Sequence, residues 1–199
     1  MNIGVLYVAF GRKAWQECVY SIETLKKYHD WPIAVIGDRA VQGTKSIEFD
    51  NIGTPGRWAK VNLYNLSPFS RTLYLDADTR IYGDLSAGFR VLEAGWDLAI
   101  VPSTQQGGDA FHHLNDDERL ATLDEIGTPL QLNTGVIWWQ RNERAERFWQ
   151  EWAREWLRWK DKDQGALHRA LVRVPLRIWL MGRSYNGGVV VAHRFGGCK

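Results

Sequence analysis

The 199-residue chain reads as an α/β protein, a single Rossmann-like domain over residues 1–199 with a mostly parallel central sheet flanked by helices. Three observations predict this. Ile3 to Ala9 and Pro32 to Ile36 are short, unbroken apolar runs rich in β-branched residues, as buried strands are. Between them, Ala14 to Tyr28 places Val19, Ile22, Leu25 and Tyr28 at helical spacing. Strand, helix and strand in quick succession form a βαβ unit, whose crossover is right-handed and whose strands are parallel.

The remaining elements follow in order. Ser46 to Phe49 predicts a third short strand. Gly53-Thr54-Pro55-Gly56 is a loop, and Arg57 to Leu66 supplies a helical turn or two. Thr72 to Leu75 is the next buried strand and runs directly into Asp76-Ala77-Asp78. Ser86 to Ala94 is helical and Asp97 to Val101 is a strand. Pro102 to Pro129 is polar, with Gly107-Gly108, His112-His113 and Asp116-Asp117-Glu118, and holds a short helix near Asp116 to Ile126. So long an excursion suggests a mobile binding loop, with a lid over a ligand as its functional form. Val136 to Trp139 resumes as strand, and Asn142 to Lys160 is a strong helix. A shorter helix opens at Asp163 and runs to Leu171, and Leu176 to Leu180 and Val189 to Ala192 are final strands.

Composition excludes several classes. The formal charge of +2, with no Lys/Arg run, argues against a nucleic-acid partner. Two cysteines near opposite ends, Cys18 and Cys198, form neither a disulfide framework nor a zinc site. The opening apolar run is too short to span a membrane and has no signal-peptide flank, so the expectation is a cytoplasmic protein without a transmembrane segment. Eleven tryptophans are unusual. Trp149, Trp152, Trp156 and Trp159 fall on one helical stripe, which predicts core packing ahead of a sugar-binding or membrane surface.

Chemistry concentrates at the carboxylate pair. Ligands of open α/β sheets bind beyond the carboxyl ends of strands. Alternation along an extended chain points Asp76 and Asp78 the same way. Two carboxylates facing one crevice suit a hard divalent cation that clamps phosphate oxygens. Asp161-Lys162-Asp163 is a second Asp-x-Asp match, at a helix end, so spacing alone does not discriminate; strand context does.

Four blocks, in order, resemble the retaining GT-A glycosyltransferases of the glycogenin and lipopolysaccharide galactosyltransferase type. They are Lys60 followed by Arg71-Thr72-Leu73-Tyr74-Leu75-Asp76-Ala77-Asp78; Leu132-Asn133-Thr134-Gly135-Val136, where threonine stands for the usual serine; Asp163-Gln164; and His193-Arg194-Phe195-Gly196-Gly197-Cys198-Lys199. The resemblance implies a GT-A fold and a nucleotide-diphosphate-sugar donor, UDP by default. It also implies Mn²⁺ or Mg²⁺ held by Asp76, Asp78 and His193, and transfer with retention to a carbohydrate or glycoconjugate acceptor. Imidazole as a third ligand favours Mn²⁺.

Roles follow from side-chain chemistry. Lys60 and Lys199 would place point charges on the diphosphate, with Arg57 and Arg71 as weaker candidates. Asn133 carries both a donor and an acceptor suited to sugar hydroxyls; Asp163 and Gln164 would serve likewise, and Asp163 also fits a helix cap. Thr134, Gly135 and Gly196 line the donor side. Ala9-Phe10-Gly11 lies where the resemblance puts base and ribose, and Asp38 closes the second strand beside it. Two rivals remain. A sugar-phosphate nucleotidyltransferase would need a Gly-rich loop after the first strand, and Phe10-Gly11-Arg12-Lys13 has too few glycines. A non-catalytic glycan- or partner-binding domain on the same fold is opposed by the intact acid–acid–imidazole set.

Overall fold

The computed structural model describes residues 2–49, 55–104 and 106–194. Seven strands form one sheet, and two more form a separate ribbon. In chain order the elements are β1 (Ile3–Ala9), α1 (Gly11–Leu25), β2 (Ile33–Gly37), β3 (Lys45–Ile47), α2 (Pro55–Val61), α3 (Leu63–Leu66), β4 (Arg71–Asp76) and β5 (Thr79–Ile81). There follow α4 (Ser86–Glu93), β6 (Leu98–Pro102), α5 (Asp116–Ile126), β7 (Leu132–Gln140), α6 (Glu143–Trp159), α7 (Asp163–Arg173), β8 (Ile178–Leu180) and β9 (Val191–His193). The large sheet runs β3-β2-β1-β4-β7-β6-β8. Its pairs are parallel except where β7 meets β4 and β6, so β7 alone in this sheet runs against the others.

The predicted parallel α/β sheet is therefore present, and most of its elements lie within a few residues of their expected positions. Alternate residues of each strand enter opposite cores. Leu6, Ile36, Tyr74 and Trp139 pack under α2, α6 and α7, while Val5, Tyr7, Leu75 and Trp138 pack under α1 and α4. Trp149, Trp152 and Trp156 of α6 are buried in the first core, which is the packing role their spacing predicts. Helix α6 starts from Asn142, whose side chain accepts a hydrogen bond from Ala145 N at 2.8 Å.

Two expectations change. Strand β7 begins at Leu132 rather than Val136, so the Asn133-Thr134-Gly135 block lies in the sheet. The excursion between β6 and β7 is also not a loose lid over its whole length. Helix α5 is docked on α7 through Arg169, which is 1% exposed. Its guanidinium donates to Glu118 at 3.1 Å, to Glu155 at 2.9 Å and to the Thr122 hydroxyl. Both carboxylates are nearly inaccessible, and Arg158 and Arg173 also pair with Glu155, so arginines balance the two acids where water does not. The base of the excursion is closed by Ser103 N donating to Gln131 O at 2.7 Å. Gln106 braces it, accepting from Gln131 N at 2.9 Å and donating to Gln131 O at 3.0 Å.

Replacing Arg169 with methionine takes the guanidinium from buried Glu118, while Glu155 keeps Arg158 and Arg173. The expected loss is about 3–5 kcal/mol of unfolding free energy, read from urea denaturation at neutral pH.

Candidate metal and donor site

The site is built where strand β4 ends. Residues 71–75 pair with both β1 and β7, and Val8 stands opposite Asp76, so the end of β1 lies beside the carboxylate pair. Because β7 runs the other way, its first residues arrive at the same edge. Leu75 pairs with Val136, which sets Gly135 next to Asp76. A register shift helps: Ile100 of β6 faces Ile137, but Val101 faces Asn133, so Thr134, Gly135 and Val136 bulge out of that ladder.

Strand β5 starts one residue after Asp78 and pairs with β9, with Thr79 opposite His193 and Ile81 opposite Val191. Beyond it, Arg194 N donates to Asp78 O at 3.3 Å. This ribbon returns the end of the chain to the carboxylates. His193 Nε2 lies 3.0 Å from Asp78 Oδ1 and 3.6 Å from Asp76 Oδ2. One ligand atom from each of the three residues falls within 4.8 Å of the others. Neighbouring ligands of an octahedral Mg²⁺-sized ion, bound at about 2.1 Å, sit roughly 3 Å apart, so the geometry fits a single cation.

The two Asp76 oxygens are differentiated. Oδ1 accepts from the Tyr74 hydroxyl at 2.6 Å and from Lys60 Nζ at 3.0 Å, leaving Oδ2 on the His193 side. Burial, reinforced by Asp76, raises the Tyr74 phenol well above its usual range, so it stays a donor. Lys60 also reaches Asp163 Oδ2 at 3.4 Å, and Asp163 takes the Thr134 hydroxyl at 2.6 Å. Burial pulls the Lys60 ammonium down, but the Asp163 and Asp76 carboxylates outweigh it and the group ends above the ordinary lysine value. Burial likewise pushes Asp163 up, yet Lys60, the Thr134 hydroxyl, its own backbone N–H and Arg57 bring it below the ordinary carboxylate. Three carboxylates and one ammonium, with the imidazole neutral as metal ligation requires, would leave two negative charges for a divalent ion to balance.

The helix α6 tryptophans hold this corner. Trp152 Nε1 donates to Asp163 O at 2.9 Å and Trp156 Nε1 to Asp161 O at 3.2 Å. Trp156 also stacks on Trp58, which lies on α2 between Arg57 and Lys60. The second Asp-x-Asp thus divides its work: Asp161 lies 4.0 Å from Arg57, and Asp163 is the buried partner of Lys60.

Other predicted residues are distributed around this centre. Gly11 N donates to Asp38 Oδ1 at 3.0 Å, tying the ends of β1 and β2 together, and Gly11 adopts φ +81°, which its lack of a side chain permits. Ala9 and Phe10 follow Val8, which stands opposite Asp76. Gln164 Nε2 donates to Leu132 O at 3.0 Å, which fixes the side chain against the start of β7. Asn133 Oδ1 is committed inside the protein, accepting from Gly135 N at 2.8 Å and from Asn186 Nδ2 at 2.7 Å. Arg71 lies at the opposite end of β4 and pairs with Glu93 at 2.8 Å, away from the site. Gly196 and Lys199 fall outside the described residues. Asn186, which bonds His193 Nδ1 at 2.7 Å, is the functional candidate that reading the sequence passed over.

Solved structures share this architecture. Mouse xyloside xylosyltransferase 1 superposes with a TM-score of 0.61 at 11% identity, over 92% of this chain and 86% of that one. The galactosyltransferase LgtC, solved with donor and acceptor sugar analogues, gives 0.63 at 13% identity over 90% and 73%. The fold is GT-A. The glycosyltransferase GlyE of Streptococcus pneumoniae carries the GT-A fold too, at 0.62 and 15% identity over 93% of this chain, which spans 46% of GlyE. No protein-family model and no curated protein sequence matches the chain. Among the described residues no helix is long and apolar enough to cross a membrane.

Two outcomes are expected at this corner. A Cβ on Gly135 would stand 2.3 Å from His193 Cε1 and 2.8 Å from Asp76 Oδ2, so Gly135→Ala should weaken Mn²⁺ binding about tenfold or more in an electron-paramagnetic-resonance titration, with the fold retained. Asp163 is depressed when folded, so its pairing stabilises above the ordinary value of 3.8 and is lost as pH falls through the lower folded value. The stability gap between wild type and Lys60→Met should therefore be widest near neutral pH and narrow in acid, in urea titrations across pH.

Proposed function

We propose that the protein is a metal-dependent glycosyltransferase that moves a sugar, a hexose by family default, from a UDP-sugar to an acceptor hydroxyl with retention. The observation that carries this reading is the convergence of Asp76, Asp78 and His193 on one point at the carboxyl edge of a GT-A sheet. The fold neighbours named above bear on it as glycosyltransferases, at low identity.

Asp76, Asp78 and His193 would hold Mn²⁺, or Mg²⁺, which when bound supplies positive charge to the diphosphate of the donor. Lys60 stands beside it as a second positive charge, held ready by two carboxylates. The ends of β1 and β2, with Phe10 and Asp38, form the wall for base and ribose. Gly135, without a side chain, leaves room for His193 and Asp76 against β7. Gly196 and Lys199 belong to the same reading through the sequence resemblance.

Retention is what the sequence resemblance implies, and the carboxylates bear on the route to it. Asp163 is the acid nearest to a sugar-side nucleophile, but it is buried in a bond to Lys60 and a bond to Thr134. Such a carboxylate is a weak nucleophile, and the Gln164 amide is weaker still. Departure of the diphosphate and attack of the acceptor on the same face, without an enzyme-bound sugar, suits this arrangement. Asn133 acts through the imidazole as well as near the sugar. A carbohydrate or glycoconjugate acceptor and a cytosolic setting complete the reading; buried Cys18, its thiol pushed by burial up to about 12, is unreactive and needs no oxidising compartment.

Incubation with UDP-sugars and Mn²⁺ should release UDP, and EDTA should stop it. Asp78→Ala should lower the rate roughly 100-fold or more with the melting temperature little changed. Exchange of pyrophosphate into nucleotide sugar, in place of UDP release, would identify a nucleotidyltransferase instead. Neither reaction, with sugar binding retained, would identify a binding domain.

A further inference from the structure

Asn186 lies on the turn between β8 and β9 and is 4% exposed. It joins two groups that the proposed function uses. Its Nδ2 faces Asn133 Oδ1 at 2.7 Å, and its Oδ1 faces His193 Nδ1 at 2.7 Å. Amide and imidazole groups can present either a donor or an acceptor, so these contacts alone leave the direction open. One neighbour removes the freedom. Gly135 N, a backbone N–H that only donates, points at the same Asn133 atom from 2.8 Å. That atom must be the carbonyl oxygen. The Asn186 atom facing it must then be the NH₂ group, and the Asn186 atom facing the imidazole must be oxygen. His193 Nδ1 must carry a hydrogen.

We infer that Asn186 is a positioning residue that, with Asn133, transmits the polarity of the Gly135 backbone N–H to His193 and fixes the imidazole with Nδ1 protonated and the Nε2 lone pair toward Asp76 and Asp78. The inference rests on the metal reading of those three residues. It assigns the Asn-Thr-Gly block a function beyond contacting sugar. Asn133 turns a backbone donor into an acceptor, Asn186 inverts that again, and the ring nitrogen ligates in the one tautomer that metal binding requires. Reversing the chain would set Asn133 NH₂ against the Gly135 N–H, or two carbonyl oxygens against each other. Each arrangement leaves a buried polar pair repelling rather than bonding.

The test compares Asn186→Leu, branched at the same carbon though larger and without polar atoms, with Asn186→Asp, which keeps an acceptor toward the ring. Mn²⁺ affinity of the purified protein is measured by electron paramagnetic resonance, with no sugar present. Leucine should weaken binding about 10- to 100-fold; aspartate keeps the acceptor toward the ring but turns an oxygen on Asn133 Oδ1, so its loss should be several-fold smaller than leucine's. Long-range ¹H–¹⁵N spectra of the His193 ring in the Mg²⁺-saturated protein should show hydrogen on Nδ1. Thermal melts of both variants report folding. Were Asn186 only a space-filler, leucine would bind Mn²⁺ like wild type and aspartate would be the damaging change; that pattern, equal losses in both variants, or hydrogen on Nε2 would each overturn the inference. Wild type that binds no divalent ion fails the metal reading instead, and the neutral ring observed on its alkaline plateau then decides the tautomer on its own.

Discussion

Pairing of β5 with β9 is a small interaction, three residues against three, and the whole site hangs on it. Asp76 and Asp78 are placed by β4, which lies near the middle of the sheet and is locked by β1 and β7. His193 has no such anchorage in the main sheet. Its imidazole reaches the carboxylates because the ribbon begins one residue past Asp78 and sets Thr79 directly across from it. The local stability of this ribbon bounds how well a cation can be held, since an ion and the ribbon stabilise each other by mass action.

Around that junction the protein arranges charge in two tiers. The outer tier, Asp78, Asp76 Oδ2 and the imidazole, converges on one point. The inner tier, Lys60 with Asp163 and the far oxygen of Asp76, is internally compensated, and burial alone would disfavour the charges of Lys60 and Asp163. The tryptophans explain how such a tier survives. Trp152 and Trp156 exclude water with their rings and satisfy the Asp163 and Asp161 carbonyls with their N–H groups, so one helix serves both the core and the site.

How much of this was legible beforehand varies by element. Strands β1, β2 and β4 are continuous apolar runs, and their positions could be read almost directly. Helix α5 lies at Asp116 to Ile126 as expected, capped by Asn115, but its burial was not foreseen. That depends on Arg169, fifty residues away, and an arginine in an amphipathic helix looks like surface. Strand β5 was missed because Thr79-Arg80-Ile81 is too short and too polar to show a period. The first half of β7 was missed since Asn-Thr-Gly reads as a turn. Asp76, Asp78 and His193 were singled out by motif order rather than spacing, and the fold brings the three side chains together. Asn186 sits in Ser184-Tyr185-Asn186-Gly187-Gly188, where an asparagine is ordinary turn chemistry, and its partners are 53 residues upstream and 7 downstream.

The excursion between β6 and β7 leaves the sheet at Pro102 and re-enters opposite it at Leu132. Its stem is fastened by Ser103, Gln106 and Gln131, independently of whatever lies beyond. Enlarging such a stem-closed insert costs only about 0.6 kcal/mol of chain entropy per doubling in length. An insert built this way can lengthen between its stem and α5, so long as the Arg169 dock is kept, while β6 and β7 hold their register.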